Sequence, residues 1–221
     1  GKPEDFIEIL DHYGIDIALL SCGWTGSDVD RNEHAYAVAK AYPDRVKMVV
    51  ILDPKREENL LDTLRQWVEE RGAVGLKIHC DTSDTMYDDP GFAPVLEEAG
   101  ELGIPVTMHT GQRCWDSIEV VTRGYPEITF ALGHFGNSMW PEAIELAKEC
   151  SNAYLETAGS LFEEEAIKRM VGELGSKRVV YGSDLILVEP AMSIGFIKYA
   201  PITDEEKEDI FWRNANRLWK L

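Results

Sequence analysis

The sequence predicts an α/β fold, a parallel (β/α)8 barrel with about seven of its eight strands present. Short apolar runs alternate with longer amphipathic stretches from one end of the 221-residue chain to the other, the pattern of strands and covering helices. The polar residues that close those runs, Ser21, Asp53, His79, His109, His134 and Asp184, are spaced by 32, 26, 30, 25 and 50 residues, the last interval being two periods with Glu156 between. A complete barrel averages roughly 31 residues per unit, so even spacing favours a barrel over an open doubly wound sheet. One further period before Ser21 falls ahead of Gly1, so the first strand is expected to be missing.

The elements follow in order. Residues Phe6–Tyr13 read as the helix before the first strand present. Strands are expected at Ile15–Ser21, Val46–Leu52, Val74–His79, Val106–His109, Ile128–Gly133, Ala153–Glu156 and Val179–Gly182. All seven are short, apolar and rich in β-branched residues without polar alternation, as parallel strands covered on both faces should be. Between them, Leu60, Leu61, Leu64, Trp67 and Val68 share one face of a helix. Pro141 opens another, continued by Ala143, Ile144 and Ala147. Thr203 and Glu206 form a capping box for the last helix, which is expected to turn Ile210, Phe211, Ala215 and Leu218 inward. No linker or repeat interrupts residues 1–221, which read as one domain.

Composition narrows the function. Forty acidic against 22 basic residues give a net charge of −18, which repels phosphate backbones and anionic lipid heads, so neither nucleic acid nor membrane is an expected partner. No apolar stretch approaches the ~18 residues of a membrane span, and no signal peptide is visible. Cys22, Cys80, Cys114 and Cys150 form no CxxC pair, which suits free thiols in the cytoplasm.

Three of the five histidines end expected strands: His79, His109 and His134. Asp184 ends another. A parallel barrel delivers every carboxyl end to one rim, so these residues would converge there. Imidazoles and a carboxylate together suit a divalent metal. Each alone has a plainer reading as a hydrogen-bonded strand-end residue or, for Asp184, a helix cap. His12 and His34 fall in helical stretches and read as surface or packing residues.

His-Thr-Gly at 109–111, Gly-His-Phe-Gly at 133–136, Tyr-Leu-Glu-Thr at 154–157 and Tyr-Gly-Ser-Asp at 181–184 resemble the amidohydrolase-related family. Its members are metal-dependent TIM-barrel hydrolases and decarboxylases. Gly75-Leu76-Lys77-Ile78-His79 and Asn214-Ala215-Asn216-Arg217-Leu218 resemble family patterns too, so the similarity runs over essentially the whole chain. The resemblance implies His109 and Asp184 as metal ligands, with Asp184 also taking a proton from bound water and His134 acting as general acid/base or second ligand. Lys77, His79 and Arg113 are the candidate substrate-binding residues. Zinc is the first expectation for the metal and manganese the second. A divalent ion lowers the pKa of bound water from about 15.7 to about 7, so the expected activity is hydrolysis of a small molecule by metal-activated water. Decarboxylation of a small carboxylic acid is the alternative, and a barrel that has lost its metal and serves as a binding module is another.

The family hallmark, a His-x-His pair on the first strand, is absent from these 221 residues. The chain thus supplies only His109 and Asp184 of the ligands implied by the resemblance, and weak metal binding is expected. A missing strand would also leave two sheet edges unpaired, inviting association into a homo-oligomer or poor solubility.

Overall fold

The computed structural model describes residues 2–22, 28–56, 59–159, 164–185 and 187–221. Seven strands, β1 (Ala18–Leu20), β2 (Val46–Ile51), β3 (Gly75–Ile78), β4 (Val106–Met108), β5 (Phe130–Leu132), β6 (Ala153–Glu156) and β7 (Val179–Val180), form one sheet in chain order. Every neighbouring pair is parallel. Each strand lies inside its expected run. Most are shorter than expected because the polar residues at the carboxyl ends leave the ladder to build the rim.

A helical segment follows every strand, at Asp28–Ala41, 60–70, Ala93–Leu102, Trp115–Gly124, Trp140–Glu149, Glu164–Leu174 and Pro190–Lys198. This is the wall of a (β/α)8 barrel with seven of its strands, β1 and β7 forming its edges among the described residues. Both faces of the wall are buried. All three residues of β5 are inaccessible, and Val50, Leu76, Ile78, Val106, Met108 and Leu155 are as deeply enclosed, which explains why the sequence shows apolar runs rather than alternation.

The C-terminal segment closes the end opposite the rim. The indole of Trp219 packs so tightly on β3 that a Cβ at Gly75 would lie 2.8 Å from its Nε1. Asn214 donates to the Ser176 and Val179 carbonyls at 2.8 and 2.7 Å, tying this segment to β7. The Thr203–Glu206 capping box forms as expected. Ile210, Phe211, Ala215 and Leu218 all pack on the core as expected, Ile210 buried and the other three half-buried, and Asn214 and Trp219 are buried beside them. A wide turn over Asp209–Arg213 advances the helical phase, which a uniform 3.6-residue period does not anticipate. His12 and His34 are exposed. No described helix is long and apolar enough to cross a membrane.

Candidate metal centre

Lys77 lies in β3 and His79 directly follows it. His109 follows β4, His134 comes two residues after β5, Glu156 ends β6, and Asp184 lies four residues beyond β7. Three of the predicted residues meet as a cluster of imidazoles. The His79 and His109 rings stack with centroids 3.8 Å apart and 10° between planes. His134 meets His109 edge-on at 4.7 Å and 71°. His79 also caps the short helix Cys80–Ser83, its Nδ1 accepting the Thr82 N–H at 3.4 Å.

The protons in this cluster can be placed from what each atom is able to donate. The Ala158 carbonyl only accepts, so His134 Nδ1, 3.1 Å away, carries a proton. Neutral His134 then has a lone pair on Nε2, which accepts from His109 Nδ1–H at 2.9 Å. That leaves a bare lone pair on His109 Nε2, facing Asp81 Oδ2 at 3.3 Å. Burial first, then Lys77 and His134, pushes His79 to about 3. Burial and the other two histidines bring His109 to about 3 as well, and burial lowers His134. All three rings are therefore neutral at pH 7.

Two electron-rich atoms facing each other without a proton between them repel, and a cation placed between them removes the repulsion. Among the described residues, His79, Asp81 and His109 each offer one ligand atom within 4.8 Å of the others. Two neutral imidazoles and a carboxylate are a donor set that fits a zinc-class or manganese ion. Asp81 is held in place from behind. Arg113 donates to its other oxygen at 3.1 Å and also binds Asp84. Arg113, a candidate substrate-binding residue, has its guanidinium engaged by these two carboxylates.

Lys77, Glu156 and Asp184 form a second group. Burial pushes the Lys77 ammonium down, against the pull of Glu156 and Asp184. It pushes the Glu156 carboxyl up to about 7, against the pull of Lys77. The Asp184 carboxylate acts on Lys77, Glu156 and His134 and is not one of the three converging ligands. Its backbone, at φ 55, is in the left-handed region. Glu156 Oε1 accepts the Ala158 N–H at 2.8 Å. It also fills the space over Gly182, where a Cβ would fall 1.3 Å from Oε1.

Backbone strain aims His134. Four successive residues, His134, Phe135, Gly136 and Asn137, have φ of 58°, 59°, 95° and 55°. Three of these are not glycine, a costly conformation that surrounding contacts must impose. The Thr110 hydroxyl binds the Gly133 carbonyl, and Phe135 is fully buried. Behind the histidines, the Tyr87 hydroxyl donates to the His109 carbonyl at 2.7 Å and accepts the Cys80 N–H at 3.0 Å, joining the ends of β3 and β4. Cys80 and Cys114 are free thiols buried beneath this surface.

Sequence reasoning missed Asp81, Tyr87 and the Ala158 carbonyl. Asp81 lies in the short helix Cys80–Ser83, past the end of β3, so strand alternation gave no reason to pair it with His79. Tyr87 and Ala158 act through tertiary geometry and had no signal either.

A sequence model of the family described as Amidohydrolase matches residues 24–221. The 2-amino-3-carboxymuconate-6-semialdehyde decarboxylase of Dictyostelium discoideum is 24% identical over 96% of this chain and 75% of its own length. A 5-carboxyvanillate decarboxylase from Novosphingobium aromaticivorans, solved with bound manganese and 3-methoxy-4-hydroxy-5-nitrobenzoic acid, superposes with a TM-score of 0.81 at 18% identity. The match covers all of this chain and 81% of that one. A 2,6-dihydroxybenzoate decarboxylase from Rhizobium gives a TM-score of 0.79 at 17% identity over all of this chain and 88% of the other.

Proposed function

The chain belongs to the amidohydrolase family, and from that membership we propose that it is a metal-dependent decarboxylase of a small, conjugated carboxylic acid. The observation that carries the proposal is the converging donor set of His79, Asp81 and His109, with a bare lone pair on His109 Nε2, beside His134. The three relatives described above, all decarboxylases by name, favour this reaction over hydrolysis by activated water.

His79, Asp81 and His109 would hold the ion, with zinc and manganese both suited to them. Bound there, a divalent cation would supply Lewis-acid neutralisation of the substrate's oxygens. Lys77, inside the barrel wall, supplies the positive charge that attracts the substrate carboxylate. Loss of carbon dioxide leaves an electron pair on the former carboxyl-bearing carbon, and a proton must replace the lost group there. Solvent supplies that proton; His134 and Asp184 are the residues we assign to its relay, His134 because with Nδ1–H held by the Ala158 carbonyl its Nε2 lone pair can take up a proton from water and pass it to the carbon. Arg113 orients Asp81 and so contributes from the rim.

The test is product analysis. The purified chain, supplied with zinc or manganese, is offered 5-carboxyvanillate, 2,6-dihydroxybenzoate and simple amides and esters, each 13C-labelled at the carboxyl carbon. Labelled carbon dioxide, with solvent deuterium appearing at the vacated carbon, supports decarboxylation. Cleavage of an amide or ester with no carbon dioxide from any acid would overturn it in favour of hydrolysis.

A further inference from the structure

We infer that Glu156 is a positioning residue that fixes the tautomer of His134 through the loop carrying Ala158. The inference deepens the reading above, on which it rests for what His134 does, but the arrangement itself can be read without any substrate.

Glu156 and His134 hold the same residue from two sides. The Glu156 carboxylate accepts the Ala158 N–H at 2.8 Å. The Ala158 carbonyl accepts the His134 Nδ1–H at 3.1 Å. The next residue, Gly159, has φ +100° and lies so close to the imidazole that a Cβ would sit 2.5 Å from Nδ1. Only glycine fits there, and the ring has little room to turn. The carboxylate is itself enclosed. It lies against Gly182, and its other oxygen would be 3.4 Å from a Cβ on Gly133, the residue before His134. The main-chain N–H of His134 also favours the charged form of Glu156. One side chain thus joins the end of β6 to the segments after β5 and β7.

The consequence is chemical. With Nδ1 committed to Ala158, the proton of neutral His134 stays on Nδ1 and the Nε2 lone pair faces the site. That lone pair accepts from His109 Nδ1–H and so keeps His109 Nε2 bare and turned toward Asp81. Which imidazole nitrogen carries the proton is set by the hydrogen bond the other makes. Here the chain of control runs from Glu156 through Ala158 and His134 to His109.

Two substitutions separate this role from simple charge or packing. Glu156→Gln and Glu156→Met both remove the charge and match the length, but only Gln keeps an oxygen that can accept the Ala158 N–H. The readout is the long-range 15N–1H correlation spectrum of 15N-histidine-labelled chain, purified from manganese-free medium. Only five histidines contribute, and His134→Gln identifies the signal. The wild type and Glu156→Gln are expected to show His134 predominantly protonated on Nδ1. In Glu156→Met the ratio of Nδ1–H to Nε2–H should fall by about tenfold, the scale of one lost hydrogen bond. An unchanged ratio in Glu156→Met overturns the inference, and so does an equal loss in both variants, which would make charge the cause. Because no substrate is used, failure here is distinct from failure of the decarboxylase reading.

Discussion

Gly182→Ala offers the sharpest steric test of the rim. A Cβ at this position would fall 1.3 Å from Glu156 Oε1, 2.5 Å from its Cδ and 3.0 Å from the Ala158 Cβ. These distances cannot be relieved by small adjustments, so the carboxylate must leave its place. At pH 8, where the carboxyl is ionised, it then gives up the Ala158 N–H, a hydrogen bond to a charged group worth about 1.5–3 kcal/mol. Overpacking of the enclosed site adds about 1–3 kcal/mol. The total, about 2.5–6 kcal/mol, corresponds to a Tm lower by roughly 5–24 °C for a chain of this size. Gly172 is the control. It is exposed in the helix Glu164–Leu174 with nothing within 4 Å of a Cβ, so Gly172→Ala should be neutral or stabilise by up to about 1 kcal/mol. Thermal and urea denaturation of both variants would decide. A loss below about 1 kcal/mol in Gly182→Ala would refute the placement of Glu156.

Tyr87→Phe should destabilise the chain by about 1–3 kcal/mol, because it strands the buried Cys80 N–H. It should also weaken metal binding by freeing the His109 main chain, and calorimetric metal titration checks the second effect separately from the first. Stability should rise with pH between about 4.5 and 6.5. In that window the unfolded chain takes up protons at His79 and His109, which the folded chain, with both near 3, does not. Glu156, raised to about 7 in the folded chain, holds a proton there that the unfolded carboxyl has lost. It therefore favours the folded state at low pH and partly cancels the histidines. Two imidazoles against one carboxyl leave a net slope on the order of 1 kcal/mol per pH unit. Denaturant titrations of chelator-treated chain across this range should reveal it, and a falling slope would contradict the burial of the two rings.

Much of this was legible in the sequence, for identifiable reasons. The strands were readable because both faces of a barrel wall are apolar, so Val46–Ile51 or Phe130–Leu132 stand out as unbroken runs. The rim was readable because polar residues interrupt those runs at barrel spacing. This brought His79, His109 and His134 into view, and the structure joins them. The finer partition was not readable. Spacing places residues on a rim but says nothing about which neighbours share an ion, and Asp81 rather than Asp184 converges with the two stacked imidazoles. Nor does any residue pattern announce the left-handed run from His134 to Asn137, which tertiary contacts impose on residues that avoid it in isolation. The expectation of weak metal binding counted His109 and Asp184, while the structure brings together His79, Asp81 and His109 as candidate ligands.

Zinc titration of the wild-type chain, Asp81→Asn and Asp184→Asn, with stoichiometry checked by elemental mass spectrometry, distinguishes the two carboxylates as ligands. About one ion per wild-type chain is expected and, in Asp81→Asn, an affinity lower by about 100-fold, roughly 2.7 kcal/mol, as one of three candidate ligands loses its charge. Asp184→Asn should bind within a few-fold of the wild type, because Asp184 acts on Lys77, Glu156 and His134. Wild-type affinity in Asp81→Asn together with loss of the ion in Asp184→Asn would contradict Asp81 as the ligand, and would return the site to a pairing of His109 with Asp184.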